Sequence, residues 1–299
     1  MLHWRLAGAA ALILPMLGVF WLEDHANFGK PGLYVIPVAL LITVLGISEV
    51  LLLLRAGGLS PSPWAVHLCG LLVIVAAGAP LLSRSSTGHD GWLWLAIAVS
   101  ASLAIMAIVE MWRYKESGSS VINMSGGLFS ILYVTLPICF LIQIRVDVPG
   151  RLALVGIISV IFVVKWSDAG AYFAGRFLGR HRMAPVLSPN KTVEGALGGI
   201  VVATVASWLY FRFIATWWME SPDEIGSLLS VLGYGFTLAI AGIAGDLSES
   251  LIKRDMHQKD AASWIPGLGG MLDVVDSLLW AAPLAYLWWT CGTFQPVSG

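Results

Sequence analysis

The sequence predicts an all-α polytopic transmembrane helix bundle of about nine spans, and three observations carry that expectation. Of 299 residues, 58% are apolar and only 12% are charged, whereas an ordinary soluble domain carries roughly 25% charged residues. Mean hydropathy is +0.81. Apolar runs of about 20 residues, the length that crosses a bilayer as a helix, recur along the chain. They are apolar without alternation, as in 36–54, where a membrane β-barrel would show short alternating segments. This composition excludes a disordered chain, a nucleic-acid-binding protein and an ordinary soluble enzyme.

Taken in order, the expected spans are 4–22, 33–54, 64–83, 92–112, 126–144, 152–166, 195–218, 226–244 and 271–290. The first lacks an Ala-x-Ala cleavage site and is followed by further runs, so it reads as an uncleaved span. Polar residues crowd the ends of the sixth and ninth. With the N-terminus on the cytoplasmic side, Lys30, Arg84, Arg145 and Arg151 fall on the opposite face and Arg212 inside a span; the rest of the 17 Lys and Arg are cytoplasmic. That bias sets the orientation, with the N-terminus and the polar loops on the cytoplasmic side of the membrane. Residues 1–150 read as scaffold helices and 151–299 as catalytic helices with cytoplasmic loops, in one continuous membrane domain. Cys69, Cys139 and Cys291 form no metal-ligand pair and read as small apolar packing residues. Glu49 and Glu110, near span ends, read as snorkelling or helix-pairing groups.

The chemistry concentrates in two stretches. The first runs from Gly245 to Asp260, followed by Pro266, Gly267, Gly269, Gly270 and then Met271 to Ser277. Asp273 and Asp276 are three apart, which on a helix places both carboxylates on one face, about 5–6 Å apart at Cβ. Such a pair repels unless a cation or proton intervenes, and screening near a membrane is poor. Asp246, at comparable depth on the preceding span, brings a third carboxylate. Hard divalent cations such as Mg²⁺ take oxygen ligands and keep substrate phosphates in their shell. The glycines before the helix start can turn backbone amides toward a phosphate, and Lys253, Arg254 and Lys259 add cations. Together these are the parts of phosphoryl or nucleotidyl transfer.

The second stretch, read as the loop after the sixth span, holds Ser167 to Arg176, then Arg180, His181 and Arg182, then Ser188 to Gly195. Ser188 and Pro189 read as a helix N-cap and first helical residue, which would place Lys191 and Thr192 in a first turn that favours anions. The three arginines suit anionic headgroups and a lipid phosphate alike.

These residues resemble the integral-membrane phosphatidate cytidylyltransferases (CDP-diacylglycerol synthases). That family's signature runs Ser-x-hydrophobic-Lys-Arg, four residues, Lys-Asp, then Pro-Gly-His-Gly-Gly, then Asp-Arg-x-Asp. Ser250 to Arg254, Lys259-Asp260, Pro266-Gly267, Gly269-Gly270, Asp273 and Asp276 stand in that register. Ser188 to Gly195 is similar to its Ser-Pro-Lys-Lys-Thr-x-Glu-Gly, and Ser167 to Tyr172 to its Asn-Asp-Thr-Gly-Ala-Tyr. The family histidine is Leu268 here, and the arginine between the paired aspartates is Val274.

The resemblance implies transfer of CMP from CTP to phosphatidate, with Mg²⁺ and a monovalent ion such as K⁺. It implies Asp246, Asp273 and Asp276 as metal ligands that act in catalysis together with Lys253. Asp168, Lys191, Thr192, Ser248, Ser250, Arg254, Lys259, Asp260, Gly267, Gly269 and Gly270 are implied around the substrates. The expected partners are CTP, phosphatidate in the bilayer and the membrane itself, with no nucleic acid and with a homodimer left open. A CTP-dependent enzyme acting on another lipid phosphate or a polyprenol, and a catalytically weak lipid-binding homologue, remain as alternatives.

Overall fold

The computed structural model describes residues 2–82, 90–115, 117–219, 226–262, 269–291 and 294, with side chains in the first helix described from Leu14 on. Among these residues the protein is helical apart from one small hairpin. The helices are α1 (Leu2–His25), α2 (Val35–Ala56), α3 (Pro63–Leu82) and α4 (Asp90–Arg113). Then follow α5 (Ser120–Asp147), α6 (Gly150–Leu178), α7 (Val193–Trp218), α8 (Leu228–Asp255) and α9 (Met271–Thr290). Eight helices, α2 to α9, are long and apolar enough to cross a membrane. The expected first span falls in α1. The expected polytopic all-α bundle is therefore what the chain forms.

The helices end where the backbone chemistry requires. Gly58 follows α2 with φ +86°, and the Gly58 and Leu59 amides donate back to Arg55 O and Leu54 O. This closing turn satisfies carbonyls that the helix leaves open, and glycine alone enters it without strain. The end of α8 makes the same closure, Gln258 N donating to Lys253 O at 2.7 Å, with His257 in the left-handed region at φ 55°.

Two helices run further than their apolar stretches. α6 continues past residue 166 to Leu178, and α8 past residue 244 to Asp255. The segment read as a loop after the sixth span is thus helical through Asp168, Tyr172 and Arg176. The helix start expected at Ser188 is displaced as well. Residues Arg182–Ala184 (β1) and Ser188–Thr192 (β2) pair antiparallel, with Arg182 opposite Thr192 and Ala184 opposite Ser188. α7 begins at Val193, where the Thr192 side chain accepts a hydrogen bond from Gly195 N at 3.1 Å. Thr192, one turn later than expected, is the true N-cap.

The chain folds into two compact units, Met1–Val146 with Ile252–Val275, and Asp147–Leu251 with Asp276–Gly299. The first unit holds α1 to most of α5. Its core is built from Ile47, Val66, Cys69, Ile74, Met106, Val134 and Cys139, all essentially inaccessible, so the two cysteines pack as expected. Arg145 pairs with Glu23 inside this unit at 3.3 Å, both side chains buried. The outward faces keep large apolar side chains exposed, among them Leu41, Leu68 and Leu72. An apolar surface of that extent suits lipid rather than water.

The second unit packs α6 against α7 along small residues; a Cβ on Gly198 would collide with Ala174. Away from the polar residues, Phe211, Tyr234, Trp288, Trp289 and Phe294 form an aromatic cluster, Phe211 and Phe294 stacked at 4.8 Å between centroids. Tyr234 lies 2.7 Å from Ser159 Oγ, and Tyr210 donates to Val155 O at 2.9 Å, so both buried hydroxyls are satisfied.

Candidate active site

In the second unit α8 and α9 bring three carboxylates together. Asp246 and Glu249 stand three apart on α8, and Asp276 comes from α9. One oxygen from each lies within 4.8 Å of the others. Glu249 and Asp276 are 1% and 5% exposed. The close approach rests on Gly245, where a Cβ would sit 2.5 Å from the Asp276 backbone oxygen and 3.1 Å from the Trp280 side chain. Without a side chain at 245, the carboxylate-bearing turns of the two helices meet.

Lys191, at the end of β2, reaches this group, its ammonium 2.5 Å from Asp246 Oδ2. The hairpin that carries it is held by Glu194, which accepts hydrogen bonds from the Arg180 and His181 amides at 3.0 and 3.1 Å and faces the His181 ring at 2.6 Å. Asp168, on α6, pairs with Lys165 at 3.0 Å and accepts from Ser277 Oγ at 3.4 Å. Ser248 and Ser250 lie half-buried on α8 between and beyond the carboxylates. Arg180 and Arg182 are exposed.

A donor set made only of carboxylate oxygens suits a hard divalent cation such as Mg²⁺. Carboxylates at this separation, two of them buried, repel strongly, and a cation among them removes that cost. The chemistry of the residues present therefore fits the metal that the sequence implied, with Glu249 as a ligand candidate the sequence reading passed over. The signal was available: Asp246 and Glu249 have the same three-residue spacing that singled out Asp273 and Asp276.

Asp273 has a different environment. Within the first unit its Oδ1 receives Lys253 Nζ at 2.7 Å and its Oδ2 the Gly270 amide at 2.8 Å. It caps the start of α9 and orients Lys253, which is 12% exposed. Glu49, read from sequence as an interfacial or helix-pairing group, is 2% exposed on α2 and accepts hydrogen bonds from Met271 N and Leu272 N, each at 2.7 Å. The Gly270 amide, expected from sequence to face a phosphate, therefore serves a carboxylate of the protein itself, as do the neighbouring Met271 and Leu272 amides. Glu110 is likewise buried, paired with Arg113 at 2.6 Å. Arg254 donates to Gln258 O at 3.3 Å, and Lys259 and Asp260 are exposed after α8. Gly269 takes φ +92° beside the Asp273 carboxylate; Gly267 and Leu268 lie outside the described residues.

Replacing Gly245 by Ala tests the close approach directly. The added methyl must push α8 from α9, an overpacking cost of about 1–3 kcal/mol. The expected result is a lower thermal midpoint together with weaker divalent-cation dependence, read from a magnesium titration of activity.

The comparisons with known proteins bear on the family of the chain. The model of the Cytidylyltransferase family matches residues 5–291. A phosphatidate cytidylyltransferase of Chlamydia pneumoniae is 36% identical over 190 residues, covering 62% of this chain and 60% of that protein. That of Bacillus subtilis is 31% identical over 253 residues, covering 84% and 88%. That of Staphylococcus saprophyticus is 30% identical over 255 residues, covering 85% and 89%. The chain spans 60% of the length of the Chlamydia pneumoniae relative and 52% of that from Chlamydia muridarum. With its match running nearly end to end, the chain belongs to the Cytidylyltransferase family.

Proposed function

We propose that this protein transfers CMP from CTP to phosphatidate, giving CDP-diacylglycerol and pyrophosphate. The observation that carries the proposal is the oxygen cluster of Asp246, Glu249 and Asp276 with Lys191 against it, in a chain whose relatives are phosphatidate cytidylyltransferases. An oxygen of the lipid phosphate forms the new bond to the α-phosphorus of CTP. The bond from that phosphorus to the α–β bridging oxygen breaks, and its electron pair leaves with pyrophosphate. No nucleophilic side chain is needed.

Each group has a place in that step. Asp246, Glu249 and Asp276 would hold Mg²⁺, which when bound neutralises the triphosphate and polarises its phosphorus–oxygen bonds. Lys191 holds Asp246 and offers an ammonium to phosphate oxygens. Lys253, oriented by Asp273, together with Arg254 and Lys259 offers further cationic groups. Asp168 and its partner Lys165 border the carboxylates of the second unit, and Ser248 and Ser250 supply hydroxyls on the same helix. A monovalent ion such as K⁺ would take part through carboxylate or carbonyl oxygens.

The bacterial relatives support a bacterial cytoplasmic membrane, and the excess of Lys and Arg on one face supports an N-terminus and polar segments on its cytoplasmic side. CTP, phosphatidate and the surrounding bilayer are then the partners. No nucleic-acid partner belongs to the reading, and a homodimer stays open in it.

The test supplies purified protein in detergent with Mg²⁺, CTP labelled in parallel samples at the α- or the γ-phosphate, and one lipid at a time: phosphatidate, a polyprenyl phosphate, or free polyprenol. The expected result is labelled CDP-diacylglycerol from phosphatidate alone. Label moved only to a polyprenyl phosphate or polyprenol would transfer the reading to a different lipid substrate. No labelled lipid from any of them would remove it.

A further inference from the structure

Glu49 is a buried carboxylate far in sequence from the segments that carry the chemistry. It sits on α2 among Val50, Leu51, Leu53 and Leu54, all buried. A charge placed there is costly unless hydrogen-bonded throughout, and Leu at this position would pack without that cost. Its two oxygens go to Met271 N and Leu272 N at 2.7 Å each. These are first-turn amides of α9 that no helical carbonyl can reach, at the end of the helix dipole that favours a negative charge.

The contact continues toward the cationic groups. Gly270 N, the preceding amide, donates to Asp273 Oδ2 at 2.8 Å, and Asp273 Oδ1 receives Lys253 Nζ at 2.7 Å. One connected set thus runs from Glu49 through the first turn of α9 to Asp273 and Lys253. Its closeness is built in, because a Cβ on Gly270 would collide with the Glu49 carboxylate. The same contact removes the helix start as a competing phosphate site.

We propose that Glu49 is a positioning residue for CMP transfer. By fixing the first turn of α9 it fixes Asp273, and through Asp273 the Lys253 ammonium that meets the CTP phosphates. The inference rests on the cytidylyltransferase reading and extends it to a residue of the scaffold half.

Two readouts test it on purified protein in detergent: hydrogen exchange at the Met271 and Leu272 amides, and separate KM values for CTP and phosphatidate. Glu49→Leu is expected to speed exchange at both amides by about 10-fold or more and to raise the CTP KM by about 10-fold, the equivalent of one lost hydrogen bond to a charged group. The phosphatidate KM stays unchanged. Glu49→Gln keeps one carbonyl acceptor and falls between Leu and wild type in both readouts. If Glu49→Leu does not fold, Glu49→Gln decides by the same two measurements.

An unchanged CTP KM in a folded variant overturns the proposal, as does activity that falls only with the folded fraction. These failures occur with an active wild type. A wild type that makes no CDP-diacylglycerol overturns the reaction reading instead, so the two failures are distinct.

Discussion

If the proposed reaction holds, replacing Asp276 by Asn is expected to lower CDP-diacylglycerol formation by about 100-fold or more while the protein stays folded. Asp276 is 5% exposed and lies within 4.8 Å of Asp246 and Glu249 oxygens. The amide keeps the volume and one acceptor oxygen but removes the charge that a hard cation needs. Removal of a single group that stabilises transition-state charge costs on the order of 10²–10³ in rate. Relief of repulsion among the remaining carboxylates offsets any loss of stability, so the thermal midpoint without Mg²⁺ is expected to rise or hold. Glu249→Gln is expected to follow the same course, whereas a Glu249 that serves packing alone would lower stability and leave the magnesium dependence in place. Thermal melts and initial rates on one preparation separate these outcomes.

On the same reading, replacing Lys253 by Met is expected to raise the KM for CTP and lower turnover, with a combined loss in kcat/KM of about 100-fold. The ammonium lies 2.7 Å from Asp273 Oδ1 and is 12% exposed. On the proposed reaction its removal would take a cation from the triphosphate, and it leaves the Asp273 carboxylate without that partner. Lys253→Arg restores charge but not the compact geometry, because a planar guanidinium does not replace a point charge one for one. Recovery is therefore expected to be partial. Asp273→Asn keeps an acceptor for the Gly270 amide and loosens Lys253, so its effect should fall mainly on the CTP KM. Steady-state kinetics with CTP and phosphatidate varied in turn measure each effect.

Much of the fold was legible because apolar length is a local property. The runs 33–54 and 92–112 became α2 and α4 with small changes at their ends. What misled was the end of each apolar run. Asp168 and Arg176 read as loop residues because charge ends a membrane span, yet α6 continues as a helix to Leu178. The hairpin was hidden for a different reason. Ser188-Pro189 is as good a helix start as a strand edge, and only pairing with Arg182–Ala184 decides between them.

The site was legible in part. Asp246 and Asp276 stand together as their positions suggested, and Lys191 joins them. Asp273 shares a helix with Asp276, but its carboxylate is engaged by Lys253 and the Gly270 amide. Spacing on a helix gives the face, not the partner. Glu49 could not be assigned from sequence, since its partners lie more than 220 residues away.

The most direct test of the carboxylate site is manganese(II) binding to the purified protein, followed by electron paramagnetic resonance, with CDP-diacylglycerol formation assayed on the same samples. Wild-type protein is expected to bind the ion, Mg²⁺ to compete for it, and Asp246→Asn and Asp276→Asn to lose binding and product formation together. Binding and product formation unchanged in both variants would contradict the account.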